Sequence, residues 1–290
     1  YILADDMGYG DLSALNSESG IQTPNMDKIV EKGVHFTDAH TNSSVCTPTR
    51  YGILTGRYAW RSSLKKGVLF GYDKPLIEEN RPTVATYLKS NGYNTACIGK
   101  WHLGLGLQPE NVNKPIGNRK GVNTNVDFSK EIKGPNALGF NYSYIIPASL
   151  DMPPYVYIEN GKTLELPTSY TEGKNQNKEG RGIMWRAGEK APSFVFDQVL
   201  ENITKKTVSY INNQKKVDTP FFIYFPLTAP HTPWLPVGKA VDKSKAGRYG
   251  DFVTMVDDAV GAVVSALKKT GNLENTLIIV TSDNGSHWKP

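Results

Sequence analysis

Short apolar runs that resemble buried strands alternate along this chain with longer stretches of helical periodicity. The strand patterns lie at residues 1–4, 34–40, 95–99, 221–225 and 276–281. The helical patterns lie between them, at residues 25–32, 83–90, 194–212 and 249–269. Buried strands separated by helices are typical of a mostly parallel sheet covered by helices. We therefore predict an α/β fold with such a sheet at its centre.

Residues 108–192 lack this periodicity and are rich in Asn, Gly, Lys and Pro. A stretch this long inside a compact domain usually forms functional loops. A disordered surface insertion is the alternative. Because the chain has no internal repeat, low-complexity tract or clear linker, we predict one domain over residues 1–290, with a loop-rich recognition region at 108–192.

Composition excludes several classes of protein. The longest apolar runs, residues 277–280 and 221–225, are far too short to cross a bilayer, so we expect no transmembrane segment. The net charge is only +5, and the basic residues occur in scattered pairs, which favours solvated helix faces over a nucleic-acid surface. The two cysteines, Cys46 and Cys97, allow at most one disulfide and do not have the spacing of a structural zinc site.

The two ends of the chain suggest a fragment. Residues 1–4 read as the end of a buried strand with no initiator methionine before it, and residue 290 follows shortly after another strand pattern. The chain also carries no signal peptide from which its targeting could be predicted. We expect it to be a piece of a longer protein.

Two acidic clusters occupy equivalent places in the predicted fold. Asp5 and Asp6 directly follow the first strand pattern, and Asp283 and Asn284 directly follow the last one. The carboxyl ends of parallel strands line the ligand crevice of an open α/β sheet. Each pair alone is compatible with a turn or a helix cap. Together they favour an oxygen-only site for a hard divalent cation.

Three further groups of reactive residues follow predicted strands. Cys46 opens the run Cys-Thr-Pro-Thr-Arg that ends at Arg50, and it is expected at a helix N-terminus, where backbone amides favour negative charge. Lys100 and His102 follow the strand pattern at 95–99, and His231 follows the pattern at 221–225. A single Cys or His is more often structural. Their convergence on one rim with the predicted cation site favours catalysis.

Four sequence blocks then resemble the formylglycine-dependent sulfatases of the alkaline phosphatase superfamily. They are Asp-Asp-Met-Gly-Tyr-Gly-Asp at residues 5–11, the Cys-Thr-Pro-Thr-Arg signature with Leu-Thr-Gly-Arg at 46–57, Gly-Lys-Trp-His-Leu-Gly at 99–104, and Ser-Asp-Asn-Gly at 282–285. The resemblance covers the whole chain. It implies a sulfatase catalytic domain that lacks the family's C-terminal subdomain and a further active-site lysine.

The resemblance also implies a role for each matching residue. Cys46 would be oxidised to formylglycine by a formylglycine-generating maturation enzyme, with Arg50 pairing with its oxygens. Lys100 would bind sulfate, His102 would act as the base and His231 as the acid. The cation, calcium rather than magnesium, would be held by Asp5, Asp6, Asp283 and Asn284. Ser149 would contact sulfate, a weaker match.

The substrate is predicted from the loop-rich region. Arg181, Trp185 and Arg186 offer a cationic and stacking surface for a sulfated sugar, although surface decoration is the alternative. Residues 146–160 resemble bacterial polysaccharide-degrading sulfatases. We therefore expect a sulfated carbohydrate as substrate, and by family resemblance a periplasmic, cell-surface or secreted protein.

Three alternative functions stay open at this point. A phosphatase or phosphodiesterase of the same superfamily would use Ser or Thr with paired zinc ions, whereas here Cys46 holds the nucleophile position and no histidine accompanies the two acidic clusters. A catalytically inactive homologue would only bind sulfoglycans. A formylglycine enzyme acting on phosphonate or phosphate esters would differ only in its substrate.

Overall fold

The computed structural model describes residues 1–117, 124–176, 182–216 and 218–287, and it contains one seven-stranded sheet and two small two-stranded sheets. The strands of the large sheet are β1 (Ile2–Asp5), β2 (Asn94–Lys100), β3 (Tyr142–Ile146), β4 (Ile158–Glu159), β5 (Lys162–Thr163), β10 (Phe221–Pro230) and β11 (Val280–Ser282). The small sheets pair β6 (Ser169–Thr171) with β9 (Gly188–Lys190) and β7 (Lys174–Gln176) with β8 (Ile183–Trp185). The helices are α1 (Pro24–Lys32), α2 (Cys46–Thr55), α3 (Val84–Ser90), α4 (Val199–Asn213) and α5 (Gly247–Thr270).

The central sheet is parallel over five of its seven strands. Its order is β11-β1-β10-β2-β3-β4-β5, and every pair from β11 to β3 is parallel, whereas β4 and β5 are antiparallel additions at one edge. The prediction of a mostly parallel sheet flanked by helices is confirmed. The carboxyl ends of β11, β1, β10 and β2 consequently lie side by side.

Two apolar cores cover the two faces of this sheet. On β2, Ala96 and Ile98 pack in the core that contains α5, while Cys97 packs in the opposite core with Tyr51 of α2. This alternation is the two-residue period of a strand that is buried on both faces. Among the described residues, no helix combines the length and apolar character that crossing a membrane requires.

Three of the predicted strands need correction. Residues 34–40 form no strand and are exposed throughout, with Val34 82% and Phe36 74% accessible, because no neighbouring strand pairs with this segment. The last strand covers Val280–Ser282 rather than residues 276–281, and β10 extends five residues beyond the predicted end at Phe225. The predicted α/β alternation therefore holds, whereas individual strand boundaries do not.

The region at 108–192 contains strands that the sequence pattern did not predict. Strand β3 lies inside it and pairs with β2, and six short strands, β4 to β9, follow. The burial of β3 depends on its pairing with β2, which is distant in sequence. The local sequence Tyr-Ser-Tyr-Ile-Ile therefore gives only a weak strand signal. The assignment of this region to substrate recognition stays a prediction.

Candidate active site

The parallel strands bring chemically reactive residues to one edge of the sheet. Asp5 ends β1, Lys100 ends β2, His231 directly follows β10, and Asp283 directly follows β11. All four side chains are buried. The sheet therefore places residues that are far apart in sequence into one crevice, as expected at the carboxyl ends of parallel strands.

Four of the buried side chains form a charge network, which we define as Asp5, Arg50, Lys100 and Asp283. Lys100 Nζ donates to both oxygens of Asp5, at 2.9 and 2.6 Å. Arg50 donates from Nε and Nη2 to Asp283 Oδ2, at 3.1 and 2.7 Å, and its Nη2 lies 3.3 Å from Asp5 Oδ1. Each carboxylate is thus paired with a cation, which is the condition for burying charge at tolerable cost.

The two carboxylates of this network differ in acidity. Burial alone would raise the pKa of Asp5, but Lys100, His231 and Arg50 outweigh it and hold that pKa below its ordinary value. Burial, reinforced by the neighbouring Asp5, raises the pKa of Asp283 to about 6. The network therefore keeps Asp5 ionised, while Asp283 is the carboxyl that accepts a proton more readily.

Asp6 and Asn284 join the loops after β1 and β11. Asp6 has a left-handed backbone, with φ of 64°, and its amide donates to Asp283 Oδ1 at 3.2 Å. Asn284 Nδ2 donates to Asp6 Oδ1 at 2.5 Å, and the hydroxyl of Tyr249 lies 3.2 Å from the Asp6 carbonyl. A left-handed non-glycine residue costs of order 1–3 kcal/mol and persists only where its surroundings fix it. These contacts supply that restraint.

Cys46 begins helix α2, as predicted, and lies against the charge network. Its Sγ forms one cluster with Asp5 and Asp283 and another with Asp6 and His231, with the ligand atoms of each cluster within 4.8 Å of one another. Burial, only partly opposed by Lys100, raises the pKa of the Cys46 thiol well above its usual value. An unmodified Cys46 is consequently a neutral thiol and a weak nucleophile in these surroundings.

Three histidines lie near Cys46 and the acidic residues. His102 has a left-handed backbone (φ of 57°), and its Nε2 lies 2.8 Å from the Leu69 carbonyl, so that its buried Nδ1 is left with no hydrogen-bond partner among the described residues. His231 Nε2 and His287 Nε2 lie 3.7 and 3.6 Å from Asp6 Oδ2. The expectation that no histidine accompanies the acidic clusters concerned the sequence. In space two histidines lie near Asp6, and His287, only three residues beyond Asn284, was a signal for this.

Of the predicted substrate-binding residues, Ser149, Trp185 and Arg186 lie among the described residues of the loop-rich region. Ser149 is buried, and its Oγ has no hydrogen-bond partner within the described ranges. Arg186 forms an ion pair with buried Asp151, and Trp185 stacks on Phe196 with ring centroids 4.5 Å apart. Arg181 lies outside the described residues. We call Ser149, Asp151, Trp185 and Arg186 the rim.

Two contacts link the segment around the rim with residues that neighbour His231 and His102. The Gly182 carbonyl, just before β8, accepts from Thr232 Oγ1 at 2.8 Å and from the Trp234 amide at 3.0 Å, immediately after His231. The Arg186 guanidinium lies 5.4 Å from the Phe70 ring, next to the Leu69 carbonyl that His102 contacts. Asp151 was missed by the sequence analysis, because a lone acid in a loop gives no spacing signal.

The donor atoms at this edge fit a hard divalent cation. Asp5, Asp6 and Asp283 supply carboxylate oxygens, and Asn284 Oδ1 is a buried acceptor that no described residue contacts. A buried acceptor without a partner is costly, and a bound cation would satisfy it. An oxygen-only set of this kind suits calcium or magnesium.

The comparisons with known proteins decide the family. The Sulfatase family model matches residues 1–290. The chain belongs to the sulfatase family. It is 33% identical to an N-acetylgalactosamine-6-O-sulfatase of Bacteroides thetaiotaomicron and 31% identical to human arylsulfatase A, each over 98% of the chain. It spans 58% and 51% of the lengths of these two relatives.

Solved structures share the fold of this sulfatase-family chain. A structure from a study of glycosaminoglycan metabolism by Bacteroides thetaiotaomicron superposes with a TM-score of 0.81 at 31% identity, covering 99% of this chain and 62% of that one. A phosphonate monoester hydrolase of Agrobacterium radiobacter superposes with a TM-score of 0.57 at 17% identity, covering 99% and 63%. The second likeness shows the fold alone.

Proposed function

We propose that the protein hydrolyses sulfate esters on a sulfated carbohydrate and releases inorganic sulfate. The observation that carries this proposal is the position of Cys46, at the start of α2, within reach of both acidic clusters and beside the cations Arg50 and Lys100. A nucleophile placed between cations and a cation site is suited to an anionic sulfate ester, because charge that develops on the oxygens of the ester is neutralised.

Maturation of Cys46 to formylglycine is part of the proposal. The neutral, buried thiol is poorly suited to attack, and a thiol adduct of sulfate would lack an easy exit. When formed, the hydrated aldehyde supplies one hydroxyl for attack on sulfur and a second whose deprotonation restores the aldehyde and expels sulfate. A formylglycine-generating enzyme is therefore a required partner of this chain.

The proposed cation is calcium, held by Asp5, Asp6, Asp283 and Asn284. The donor set is all oxygen, and Asn284 Oδ1 is the acceptor that lacks a protein partner in the described chain. When bound, the cation supplies positive charge that holds the nucleophile and a sulfate oxygen. Arg50 and Lys100 hold the two carboxylates of the network in place through their ion pairs.

The remaining roles are those that the family resemblance implies. Lys100 is assigned to sulfate binding and Arg50 to the oxygens of the nucleophile. His102, whose buried Nδ1 has no described partner, is assigned as the base that removes a proton from the hydroxyl. His231 is assigned as the acid for the leaving oxygen, and Ser149 Oγ as an additional sulfate contact.

A carbohydrate is the proposed leaving group because of the rim and the relatives. Arg186 has a partly exposed guanidinium and Trp185 a partly buried indole, and these residue types suit hydroxyl-rich and anionic sugars. The bacterial relative at 33% identity is named as an N-acetylgalactosamine-6-O-sulfatase. Proteins that act on such polymers work outside the cytoplasm, so we place this one in the periplasm, at the cell surface or in the exterior.

The mass of the tryptic peptide 33–50, from the full-length protein made in its own host, tests this proposal together with turnover. We expect a peptide that has lost the sulfur of Cys46 and hydrolysis of sulfated N-acetylgalactosamine faster than of an aryl sulfate. Cys46→Ala should abolish turnover, whereas Cys97→Ala, a change at the other buried cysteine, should leave it within a few-fold.

Four outcomes would contradict the proposal in different ways. An unmodified Cys46 in active protein would overturn the mechanism, and two bound zinc ions per mature chain would favour a phosphatase. A phosphate or phosphonate ester hydrolysed faster than any sulfate ester would reassign the substrate. Full biological activity of Cys46→Ala would identify an inactive sulfoglycan-binding homologue.

A further inference from the structure

Three donor atoms of different chemistry converge on one point beside α2. Cys46 Sγ, an oxygen of Asp6 and a ring nitrogen of His231 all lie within 4.8 Å of one another, and all three residues are buried. Sulfur and imidazole are foreign to a calcium site, which takes oxygen ligands. This group of donors therefore needs a different explanation from the oxygen-only set.

The orientation of His231 leaves a lone pair directed at this group. Its Nδ1 lies 2.6 Å from the Thr232 carbonyl, and because a carbonyl only accepts, Nδ1 carries the proton. Nε2 of the neutral ring is then an acceptor, and it lies 3.7 Å from Asp6 Oδ2. A ring nitrogen fixed by a backbone carbonyl on its other side is the usual arrangement of a metal-ligating histidine.

The separation between two of these ligand atoms is close to that of tetrahedral zinc. Zinc–nitrogen and zinc–oxygen bonds of about 2.1 Å at a tetrahedral angle place the two ligand atoms about 3.4 Å apart. The distance between His231 Nε2 and Asp6 Oδ2 is 3.7 Å, so a small side-chain movement brings the two atoms into range. Thiolate, imidazole and carboxylate together select zinc over calcium or magnesium.

We propose that the chain with unmodified Cys46 binds one Zn²⁺ through Cys46, Asp6 and His231, and that conversion of Cys46 to formylglycine abolishes this site. Zinc displaces the thiol proton, which passes to solvent, and no electrons are exchanged. Removal of the sulfur takes away one of three protein ligands. The inference concerns the immature chain and so goes beyond the proposed function.

One consequence follows from the shared ligand. Since Asp6 belongs to both donor sets, zinc and calcium compete for it in the immature chain.

The experiment uses the full chain produced without the maturation enzyme, with the thiol at Cys46 verified by peptide mass. Zn²⁺ is titrated against a chromophoric chelator, and Co²⁺ is added separately to detect thiolate-to-metal charge-transfer absorption. We expect one zinc per chain and a thiolate band. Cys46→Ser should weaken zinc binding about 100-fold or more, since loss of an outer-shell partner alone costs roughly 10–100-fold. Cys97→Ala, the matched control, should bind zinc as the parent does.

The calcium affinity of each variant distinguishes a lost ligand from a lost fold. Cys46→Ser should keep the parent's calcium affinity within a few-fold, because all four oxygen donors remain. Cys46→Ser that binds zinc as tightly as the parent, or a cobalt complex without the thiolate band, would overturn the proposal.

His231→Gln, which keeps the size of the side chain, should weaken zinc binding about tenfold or more. An unchanged zinc affinity in this variant would also contradict the assignment. Because no turnover is measured, failure here is separate from failure of the proposed sulfatase activity.

Discussion

The charge network and the rim border the same crevice but are built in different ways. The network takes Asp5, Arg50, Lys100 and Asp283 from four segments that are distant in sequence, and the side chains of its ion pairs have no solvent-accessible surface. The rim comes from residues 149–186, supported by strands of two or three residues, and Arg186 keeps 36% of its side chain exposed. One region depends on the whole sheet, whereas the other depends on local pairing.

This difference separates chemistry from selectivity. In the network each charge is balanced by the others and shielded from water, so the loss of one leaves another buried and unpaired. At the rim the Arg186 guanidinium is partly exposed, so water screens its charge, whereas its partner Asp151 is buried and would be left unpaired by the loss of Arg186. We therefore expect network variants to lose both stability and turnover, and Arg186 variants to lose some stability while their effect on activity is mainly on the preference among substrates.

The largest expected effect is that of Lys100→Met, which removes one charge from the network at nearly constant volume. Asp5 would lose its partner at 2.6 and 2.9 Å and keep only Arg50 at 3.3 Å. We expect the free energy of unfolding to fall by about 3 kcal/mol and kcat to fall about 10³-fold. Urea denaturation and sulfate-release kinetics measure the two effects.

Lys174→Met is the matched control for this variant. Lys174 lies over the Trp185 ring at 5.4 Å, on an exposed strand. Its loss should change the stability by about 1 kcal/mol or less. Equal destabilisation by the two substitutions would show that removing a buried charge of the network lowers the free energy of unfolding no more than removing an exposed one.

A smaller and different effect is expected for Arg186→Met at the rim. The guanidinium pairs with Asp151 and lies over Phe70, and the carboxylate of Asp151 keeps one buried oxygen without a described partner. We expect KM for a sulfated sugar to rise about 10–100-fold, because a hydrogen bond to a charged group contributes about 1.5–3 kcal/mol, while turnover of a small aryl sulfate changes little. An equal loss of activity on both substrates would show that Arg186 contributes to the chemical step rather than to substrate selectivity.

Sequence reasoning named every residue of the network and all of the rim except Asp151, and what it missed has a physical reason. Residues that follow buried strands must converge once the strands are parallel, so Asp5, Lys100, His231 and Asp283 could be predicted from their positions. Whether a short segment pairs depends on distant neighbours. For that reason β3 was missed and residues 34–40 were wrongly predicted as a strand, whereas Asp151 was missed because a lone acid in a loop gives no spacing signal.

Tyr249→Phe is expected to have a modest effect at the network's edge. The Tyr249 hydroxyl donates to Asp11, lies 3.2 Å from the Asp6 carbonyl and contacts Ser286, so it bridges the two loops that carry the proposed calcium ligands. Its loss should lower calcium affinity about tenfold without unfolding the chain, since the ring still packs against Trp234. Calorimetric titration with calcium measures this, and an unchanged affinity would show that Asp6 is fixed without the hydroxyl.

The smallest expected effect is that of Tyr72→Phe, which makes the same chemical change beside the rim. The Tyr72 hydroxyl donates to Glu189 Oε2 at 2.9 Å, and Thr124 Oγ1 donates to the same oxygen at 2.7 Å, so the carboxylate keeps one partner in the variant. We expect a loss of about 1 kcal/mol in the free energy of unfolding and no change in calcium affinity, because Glu189 supports β9 rather than the loops after β1 and β11. If Tyr72→Phe weakened calcium as much as Tyr249→Phe, the two regions would share one rigid support. The contrast between a sheet-built network and a locally built rim would then be wrong.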